Sequence, residues 1–293
     1  MNKVSNIFTL LGCAALLLVC ATCNPAPTNA HPAPDSAAAT TSDKVNLPLI
    51  SNDAQVSTWW QPAPGTSWQW QLSGEIDTAF DVQMYDIDLF DTPQNVIDQL
   101  HTDGRIVICY FSAGSWEEWR SDAGQFPAPV IGEPLDGWEG EYWLDIRQLD
   151  VLGPLMGARL DAAVQKNCDG VEPDNINAYE DGNDTGFPIT YQDQIVYNIW
   201  LAEQAHARGL SIGLKNDLEQ IDDLLPYFDW MLNESCFYYD ECDYLIPFVN
   251  AGKAVFGVEY ELSPADFCPQ ANAMNFDWLK KNWDLDAWRE ACR

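Results

Sequence analysis

The amino-acid sequence predicts a single (β/α)8 TIM barrel of the α/β class, and three observations carry this prediction. From residue 45 to residue 293 the chain has no second linker, and these roughly 250 residues are the usual size of one such barrel. Eight short apolar, β-branched or aromatic runs recur there, with helical patterns in most gaps. This alternation favours a parallel sheet, and its eight repeats favour closure. An open doubly wound sheet is the alternative, although no GxGxxG or P-loop motif follows any strand.

The predicted strands follow one another at intervals that leave room for helices. In chain order they are SWQWQL (67–72), VQMYDI (82–87), RIVICYF (105–111), YWLDI (142–146), GVEPDN (170–175), SIGLKN (211–216), WMLNES (230–235) and AVFGVEY (254–260). Helical patterns cover Pro93 to His101 and about Val151 to Lys166. Thr190 and Asp193 have the spacing of a capping box, and Gly209 is a stop signal, so we expect a crossover helix between them.

Two segments precede the predicted barrel domain, which we place at residues 45–293. Residues 1–23 carry Lys3, no acid and an apolar run from Leu10 to Val19, which is typical of a secretory signal and too short to span a bilayer. Cys13, Cys20 and Cys23 leave lipid attachment open, although neither Cys20 nor Cys23 follows Gly, Ala or Ser and Cys13 comes too early in the apolar run. Residues 24–44 are rich in Pro, Ala, Ser and Thr, which predicts a disordered linker. The expected location is secreted or extracellular, either free or lipid-anchored.

The charge of the chain excludes one large class of partners. Forty-five Asp and Glu residues against 14 Lys and Arg give a formal net charge of −31. Such a chain repels phosphate backbones and anionic lipid, so we expect no nucleic acid partner and membrane contact only through a lipid anchor. The acidity either keeps an exported protein soluble or attracts a cationic substrate.

Six cysteines lie in the predicted domain, at positions 109, 168, 236, 242, 268 and 292. An even number behind an export signal favours disulfides. Cys236 and Cys242 are close enough for a small loop, and Cys268 with Cys292 would fix the C-terminal tail. The remaining two are either a third pair or two buried thiols. With no CxxC pair in this domain and only three histidines in the chain, we expect neither a metal site nor a cofactor.

The chemistry of such a barrel sits at the carboxyl ends of its strands, and the residues there are mostly acidic. They are Asp86 and Asp88, Tyr110, Asp145, Glu172 and Asp174, Lys215 and Asn216, Glu234, and Glu259 with Glu261. Side chains alternate along a strand, so we expect Glu172, Asp174, Lys215 and Glu234 to point inward. The alternative is structural, because Asp and Asn after a strand often cap the next helix and a lysine among acids can simply balance charge. So many inward acids nevertheless favour acid–base chemistry or cation binding.

Other catalytic machinery is poorly supported. There is no GxSxG or HExxH motif, and His101 and His206 fall within predicted helices rather than at strand ends. Aromatic residues are frequent in the predicted loops: Trp59, Trp60, Trp116, Trp119, Trp138, Tyr179, Tyr238 and Tyr239. Because sugar rings stack on aromatic faces, paired carboxylates with such loops are typical of a glycosidase.

Six segments in this order resemble one family: WWQPAPGTSWQWQL, MYDIDLFDT, ICYFSAGSWEEWR, CDGVEPDN, GLKND and LNESC. They are similar to glycoside hydrolase family 114, the endo-α-1,4-polygalactosaminidases, whose barrels act on galactosamine-containing polysaccharides. The resemblance implies that Asp174 and Glu234 are the catalytic carboxylates. It also implies substrate contacts at five positions: Asp86, Tyr110, Glu172, Lys215 and Asn216. The tail from Ser263 to Arg293 has no counterpart in this resemblance.

The expected function is therefore an exported, endo-acting hydrolase of an α-1,4-linked, cationic galactosamine polymer. Two alternatives stay open: a catalytically silent polysaccharide-binding barrel of the cell envelope, and a glycosidase acting on a neutral glycan. We expect Lys215 to keep Asp174 ionised as nucleophile or base. The apolar and aromatic CFYY that follows Glu234 would desolvate that carboxyl and make it the general acid.

Overall fold

The computed structural model of the protein describes residues 59–293. The predicted signal, the linker and the boundary at residue 45 lie outside the described residues. Twelve strands are present in the described part: β1 (Trp68–Gln71), β2 (Met84–Asp88), β3 (Ile106–Ser112), β4 (Ser115–Glu117), β5 (Ile131–Pro134), β6 (Glu141–Leu144), β7 (Gly170–Asp174), β8 (Ser211–Lys215), β9 (Trp230–Glu234), β10 (Val255–Glu259), β11 (Asp277–Lys280) and β12 (Glu290–Ala291).

Eight parallel strands form the curled sheet of an α/β barrel. Their order is β1-β2-β3-β7-β8-β9-β10-β11, so neighbours in space follow chain order, and β12 adds to β11 in the antiparallel sense. The Trp68 indole donates to the main-chain oxygen of Asp277 (2.9 Å), which links the start of β1 to the start of β11. The main-chain N–H of Leu72, after β1, donates to the carbonyl of Leu285, after β11 (3.0 Å). The predicted barrel class is confirmed.

One predicted barrel strand is wrong. The segment YWLDI overlaps β6, which lies between β4 and β5 in a separate antiparallel three-stranded sheet. This small sheet is an insertion between β3 and the following helix. The residues of YWLDI alternate as those of a barrel strand do. Such alternation identifies a strand but does not show which sheet the strand joins. The eighth barrel strand is instead β11, in the C-terminal tail.

The strands separate two apolar layers. Trp68, Trp70, Trp230, Leu232 and Phe256 belong to the cluster that fills the barrel, whereas the alternate residues of the same strands pack toward the helices. A glycine makes this filling possible. A Cβ at residue 213 would lie 2.4 Å from the indole of Trp230, so only glycine leaves room for that ring inside the barrel.

Seven α-helices lie among the described residues. They are α1 (Gln94–Thr102), α2 (Leu149–Gln165), α3 (Tyr191–His206), α4 (Ile221–Leu224), α5 (Cys236–Tyr239), α6 (Ile246–Asn250) and α7 (Pro264–Ala273). The helices expected near residues 93–101, 151–166 and 190–209 correspond to α1, α2 and α3. Helix α3 begins with the predicted capping box, in which Thr190 and Asp193 exchange side-chain to main-chain hydrogen bonds. Among these residues, none of the helices is both long and apolar enough to cross a bilayer.

Three disulfides join the six cysteines of the domain. Cys236 pairs with Cys242, Cys268 with Cys292, and Cys109 in β3 with Cys168 just before β7. The first two pairs were predicted. For Cys109 and Cys168 the prediction left open a disulfide or two buried thiols, and the structure has the disulfide. Three disulfides are typical of a protein that folds outside the reducing cytosol.

Removing the disulfide between Cys109 and Cys168 is expected to destabilise the barrel more than removing the short one. Its ends are 59 residues apart, against 6 for the pair Cys236 and Cys242. On the chain-entropy estimate, a double Cys→Ala change costs roughly 4 kcal/mol at the long loop and roughly 2 kcal/mol at the short one. Guanidinium unfolding of both double variants measures the difference. Equal losses would contradict the loop-length argument.

Candidate active site

The carboxyl ends of β7, β8 and β9 carry the central polar side chains of the barrel. Each of these strands is followed at once by a residue in the left-handed backbone region: Asn175 (φ 59°), Asn216 (φ 50°) and Ser235 (φ 66°). Asn tolerates this conformation better than most residues. The turns end the strands immediately after Asp174, Lys215 and Glu234, so these three side chains stand together at the mouth of the barrel.

The ammonium of Lys215 is the centre of the cluster. Its Nζ lies 2.9 Å from Asp174 Oδ1, 3.2 Å from Glu234 Oε2 and 3.1 Å from Glu172 Oε1. Lys215 is 2% exposed, and the surrounding acids hold its pKa well above the ordinary value despite burial. Because Lys215 Nζ contacts both Asp174 and Glu234, the two carboxylate oxygens that face it are no more than about 6 Å apart.

Three donors hold the carboxylate of Asp174. Besides Lys215, the main-chain N–H of Asn175 donates to Oδ1 (2.8 Å) and the hydroxyl of Tyr110 donates to Oδ2 (3.1 Å). The main chain is fixed as well, since the N–H groups of Ala113 and Gly114 donate to the Asp174 carbonyl. A Cβ at residue 114 would lie 1.7 Å from the carbonyl oxygen of Asn175, which explains glycine in the SAGS sequence.

Glu234 is also held by three side chains. The hydroxyl of Tyr260 donates to Oε1 (2.5 Å), and Asn216 Nδ2 and Lys215 Nζ contact Oε2 (3.3 and 3.2 Å). Asn216 Oδ1 in turn accepts from the Glu234 main-chain N–H (3.0 Å). Asn216 therefore orients Glu234 and does not cap a helix.

The expected desolvation of Glu234 by the CFYY segment is wrong. After the left-handed turn at Ser235, the apolar part of this segment packs into the core and only Tyr239 lines the cleft beside Glu234. Phe237 packs on Phe267 and Trp278, while Tyr238 and Tyr239 are 54% and 65% exposed. The groups that surround Glu234 are polar, so its role must be argued from the charges of the cluster instead.

A second layer of carboxyls lies directly beneath Lys215. Asp86 and Glu172 have no exposed surface, and burial together with their mutual repulsion raises the pKa of Asp86 well above its ordinary value. Burial raises the pKa of Glu172 to about 7, against the lowering effect of Lys215. The Trp70 indole donates to Glu172 Oε2 (3.0 Å) and its ring lies 4.9 Å from Lys215 Nζ. Because Asp86 and Glu172 are fully buried beneath Lys215, they do not face the cleft. We therefore assign them to the support of the lysine and not to the expected substrate contacts.

The segments quoted for the family resemblance contact one another above this layer. Arg120 donates two hydrogen bonds to Asp88 (2.8 and 3.0 Å) and one to Glu117 (2.8 Å). Glu141 and Asn175 share a buried hydrogen-bond network with Ser112 and Ser115. Glu141 comes from the inserted sheet, so the insertion builds one wall of the site.

Three other strand-end acids lie apart from the central cluster. Asp145 binds Arg147 (2.6 Å) and makes no helix-capping hydrogen bond within the described residues. Glu259 accepts from the Phe237 main-chain N–H (2.9 Å), and Glu261 accepts from the Trp283 indole (3.0 Å).

The cleft has two arms that meet at Glu234. The arm over the barrel mouth, with a volume of about 540 Å³, is hereafter the aromatic arm. It is lined by Asp174, Lys215, Glu234, Trp119, Trp138 and Trp283 among others. The second, of about 610 Å³, is hereafter the acidic pocket, and Glu180, Asp217, Glu219, Glu234, Glu241 and Tyr179 belong to its lining. The cleft therefore continues on both sides of Glu234.

Not all of the expected sugar-stacking aromatics lie in this cleft. Trp119, Trp138, Tyr179 and Tyr239 line it. Trp59 stacks on His206 and donates to Asp229, which precedes β9 and so lies at the opposite end of the barrel. Trp116 packs on Tyr142 and donates to a main-chain carbonyl. Two residues that the sequence reasoning missed, Tyr260 and Trp283, stack on each other at the cleft (centroids 4.0 Å apart).

The described barrel mouth has neither a cluster suited to a metal ion nor a histidine. No group of three or more His, Cys, Asp and Glu residues among positions 59–293 is arranged to hold a metal ion. His101 and His206 bind Asp169 and Asp229 (3.0 and 2.9 Å), which precede β7 and β9 at the amino ends of the strands.

The stability of the barrel is expected to fall as the pH rises from about 4.5 to about 7. Burial raises the pKa of four glutamates to about 7: Glu141, Glu172, Glu180 and Glu259. In this window the native state holds protons that the unfolded chain has lost, so each rise in pH favours unfolding. The Tm should fall by several degrees, since 1 kcal/mol corresponds to roughly 2–4 °C in a domain of this size.

Thermal unfolding between pH 4.5 and 7.5 measures this dependence. Glu259→Gln should flatten it, because one of the four titrating groups is removed. Glu203→Gln, an exposed change of the same charge on α3, should leave the slope unaltered. A Tm that rises over this range would contradict the prediction.

Eight parallel strands with a lysine-bridged pair of carboxylates at their carboxyl ends define a barrel glycoside hydrolase. The sequence profile of glycoside hydrolase family GH114 matches residues 50–293. The chain belongs to this family, and the expected resemblance is confirmed. It is an enzyme of the hydrolase class, which decides against a catalytically silent barrel.

Three solved structures are similar to this chain, the last two in fold only. Aspergillus fumigatus Ega3, solved in complex with galactosamine, is 42% identical, with a TM-score of 0.75, over 80% of this chain and 97% of its own. The glycoside hydrolase domain of Pseudomonas aeruginosa PelA is similar in fold, at 11% identity and a TM-score of 0.61, over 77% of this chain and 98% of its own. The α-galactosidase of Thermus thermophilus, at 13% identity and a TM-score of 0.54, covers 77% of this chain and 63% of its own. No curated protein sequence matches this chain.

Proposed function

We propose that this enzyme cleaves internal bonds of an α-1,4-linked, galactosamine-containing polysaccharide, with Asp174 and Glu234 as its catalytic residues. The observation that carries the proposal is the shared contact of both carboxylates with Lys215 Nζ, at 2.9 and 3.2 Å. Galactosamine as the sugar is supported by its complex with Ega3, a relative of 42% identity. Cleavage within the chain is supported by a cleft that continues on both sides of Glu234.

The spacing of the pair favours a retaining mechanism. Retaining glycosidases hold their two carboxyls roughly 5–5.5 Å apart, and inverting ones roughly 6.5–9.5 Å apart. The facing oxygens are at most about 6 Å apart, which is below the inverting range and compatible with the retaining one. One carboxylate then attacks the anomeric carbon to form a glycosyl-enzyme, and the other protonates the leaving oxygen and later activates water.

The charges of the cluster support Asp174 as the nucleophile. Burial raises the pKa of Asp86 well above its ordinary value and that of Glu172 to about 7, so Lys215 is left mainly to balance Asp174 and Glu234. One positive charge between two carboxyls stabilises one of them as an anion and leaves a proton for the other. Asp174 accepts the additional main-chain N–H bond, which favours its anion and leaves the proton to Glu234. Glu234 is thus the proton donor.

Tyr110, Tyr260 and Asn216 position this pair. Tyr110 and Tyr260 each donate a hydroxyl to one of the two carboxylates, at 3.1 and 2.5 Å. Both tyrosines also line the aromatic arm, where a sugar in contact with the pair would meet them. Tyr110, Lys215 and Asn216 therefore remain proposed substrate contacts.

Export is proposed from residues 1–23 together with the three disulfides of the barrel. Whether the exported protein also carries a lipid at Cys20 or Cys23 is a separate question. Mass spectrometry of the mature amino terminus distinguishes a lipidated cysteine from an unmodified cut end, and an intact residue 1 would contradict both forms of export.

The enzyme is expected to prefer deacetylated polymer, and salt is expected to slow it. A chain with a net charge of −31 attracts protonated amines through interactions that ions screen. The measurement is reducing-end release from deacetylated galactosamine polymer, its fully acetylated form and a neutral galactan, at low and high salt. If acetylated polymer is cut as fast at both salt concentrations, the acidity serves only solubility. If the neutral galactan alone is cut, the proposed substrate is wrong.

A further inference from the structure

The C-terminal tail places one tryptophan in the aromatic arm in a fixed orientation. Trp283 lies between β11 and β12 and lines the arm together with Asp174 and Glu234. Its ring stacks on the ring of Tyr260, with the centroids 4.0 Å apart and the planes inclined by 16°. Its indole N–H donates to Glu261 Oε1 (3.0 Å). The protein therefore covers one face of this ring and binds its polar edge.

The second face of Trp283 is open. Trp283 is 59% exposed although Tyr260 covers one of its faces, whereas Tyr260 itself is only 7% exposed. An indole face left in water gains free energy when an apolar surface covers it. Because this ring lines the same arm as the catalytic pair, the surface that covers it belongs to the molecule bound in the cleft.

The loop that carries Trp283 is preorganised. Leu285 has a left-handed backbone (φ 48°), which is unfavourable for a side chain of this size, and its carbonyl accepts from two main-chain N–H groups after β1 (3.0 and 3.3 Å). The buried ammonium of Lys281 donates to the carbonyls of Asp286 and Trp288 (2.6 and 2.8 Å). Backbone strain of this kind persists only where the surrounding structure enforces it, and it is concentrated at functional sites.

A purely structural role explains only part of this arrangement. The Tyr260 hydroxyl donates to Glu234 (2.5 Å), so Trp283 could serve simply to hold the ring of Tyr260 in place. Such a buttress uses one face of the indole. It does not require the loop strain, or an open second face beside the catalytic pair.

A sugar ring of the galacto configuration matches a flat apolar face at this place. In such a ring O4 is axial, which leaves the C–H groups at C3, C4 and C5 together on the opposite face. An α-1,4 linkage uses this axial O4, so the linkage oxygen at C4 lies away from that C–H face in every unit of the chain. In the C4 epimer O4 is equatorial, and the same C–H groups are divided between the two faces. Aromatic rings stack on the continuous C–H face.

We propose that Trp283 is a sugar-stacking platform of the aromatic arm and selects the galacto configuration of the unit bound there. Tyr260 contacts both Trp283 and Glu234, and so it fixes the platform relative to the catalytic pair. This inference rests on the proposed function and deepens it, because it assigns recognition of the C4 configuration to one residue of the C-terminal tail.

Kinetics on deacetylated galactosamine polymer test the platform. Trp283→Ala is expected to raise KM roughly tenfold and to change kcat by less than about twofold, because stacking holds the substrate and the transition state alike. Trp283→Phe keeps a flat face and should recover most of the wild-type KM. Trp288→Ala is the matched control, since Trp288 is an exposed tryptophan (44%) of the same tail that lines neither arm in the described structure. It should behave as wild type.

Saturation-transfer NMR shows which face of the sugar stacks. With a galactosamine tetramer and the Asp174→Asn variant, the protons at C3, C4 and C5 should receive more saturation than those at C1 and C2. Trp283→Ala in the same background should remove this difference. Free galactosamine should displace the tetramer at lower concentration than its C4 epimer glucosamine, and Trp283→Ala should narrow that preference. The pattern in Asp174→Asn alone keeps the test valid if Trp283→Ala does not fold.

The outcomes separate two failures. If the wild-type enzyme neither cuts nor binds galactosamine chains, the proposed function fails and the inference fails with it. If wild type cuts the polymer but Trp283→Ala keeps the wild-type KM, or the tetramer is saturated evenly, only the inference is overturned. A lower kcat or a shifted pH profile at unchanged KM identifies Trp283 as a buttress of Tyr260 and overturns the platform as well.

Discussion

Asp174→Asn and Glu234→Gln are each expected to lower kcat/KM on galactosamine polymer by roughly 10³-fold or more, with the fold intact. Both changes keep the size of the side chain and remove its ability to attack or to transfer a proton. Neither carboxyl lies in the apolar core, as their side chains are 19% and 27% exposed. Reducing-end release gives the rates, and the Tm shows whether the barrel is folded. Glu203→Gln is again the matched control.

The two variants are expected to differ in how azide rescues them. In Asp174→Ala, azide can take the place of the missing nucleophile and should yield a glycosyl azide of inverted anomeric configuration. In Glu234→Ala, azide should act only after the glycosyl-enzyme has formed, so the product should retain the configuration of the substrate. Inverted azide from Glu234→Ala alone would reverse the assignment. Full activity in either Ala variant would remove that residue from the pair.

Much of the barrel could be predicted from the alternation of side chains along short runs. Seven of the eight predicted barrel strands are correct, because each is a β-branched or aromatic run between turn signals. The exception, YWLDI, has the same local pattern but pairs within the inserted sheet. Strand β11 was missed since it has four residues, DWLK, with charges at both ends. Its place next to β10 depends on long-range pairing that a local pattern does not record.

The central site followed from the same alternation. Glu172, Asp174, Lys215 and Glu234 occupy inward positions on neighbouring strands, and the structure brings all four together. Tyr260 could have been found in the same way, because it continues the inward series of Phe256 and Val258.

The depth at which a side chain lies within the barrel could not be predicted from the sequence. Asp86 lies one layer too low to face the cleft, and this depth depends on the stagger of β2 against its neighbours. The two arms of the cleft come from loops whose paths are set by tertiary packing, such as the inserted sheet that carries Trp138 and Glu141. The left-handed backbone of Ser235, which sets the path of CFYY after Glu234, carries no sequence signal of the kind that glycine would give.

Lys215→Met is expected to lower kcat/KM by roughly 10²-fold or more and to move the pH–rate profile to higher pH. The variant keeps the long side chain and removes the only cation in contact with Asp174, Glu172 and Glu234 among the described residues. A positive charge aimed at reacting carboxylates in a buried site is worth a factor of this size. Without it the carboxyls hold their protons to higher pH, so the nucleophile ionises only in more alkaline solution.

Stability and the pH profile together distinguish this role from simple charge balance. Removing one partner of a buried ion pair costs roughly 3–5 kcal/mol, so a lower Tm alone is expected for any structural lysine. Lys253→Met is the matched control, because Lys253 donates only to the main-chain carbonyls of Leu225 and Phe228 (both 2.6 Å) in the described structure. It should lower the Tm and leave the pH profile unmoved. If Lys215→Met also lowers only the Tm, the lysine balances buried charge, and the division of labour between Asp174 and Glu234 must have another cause.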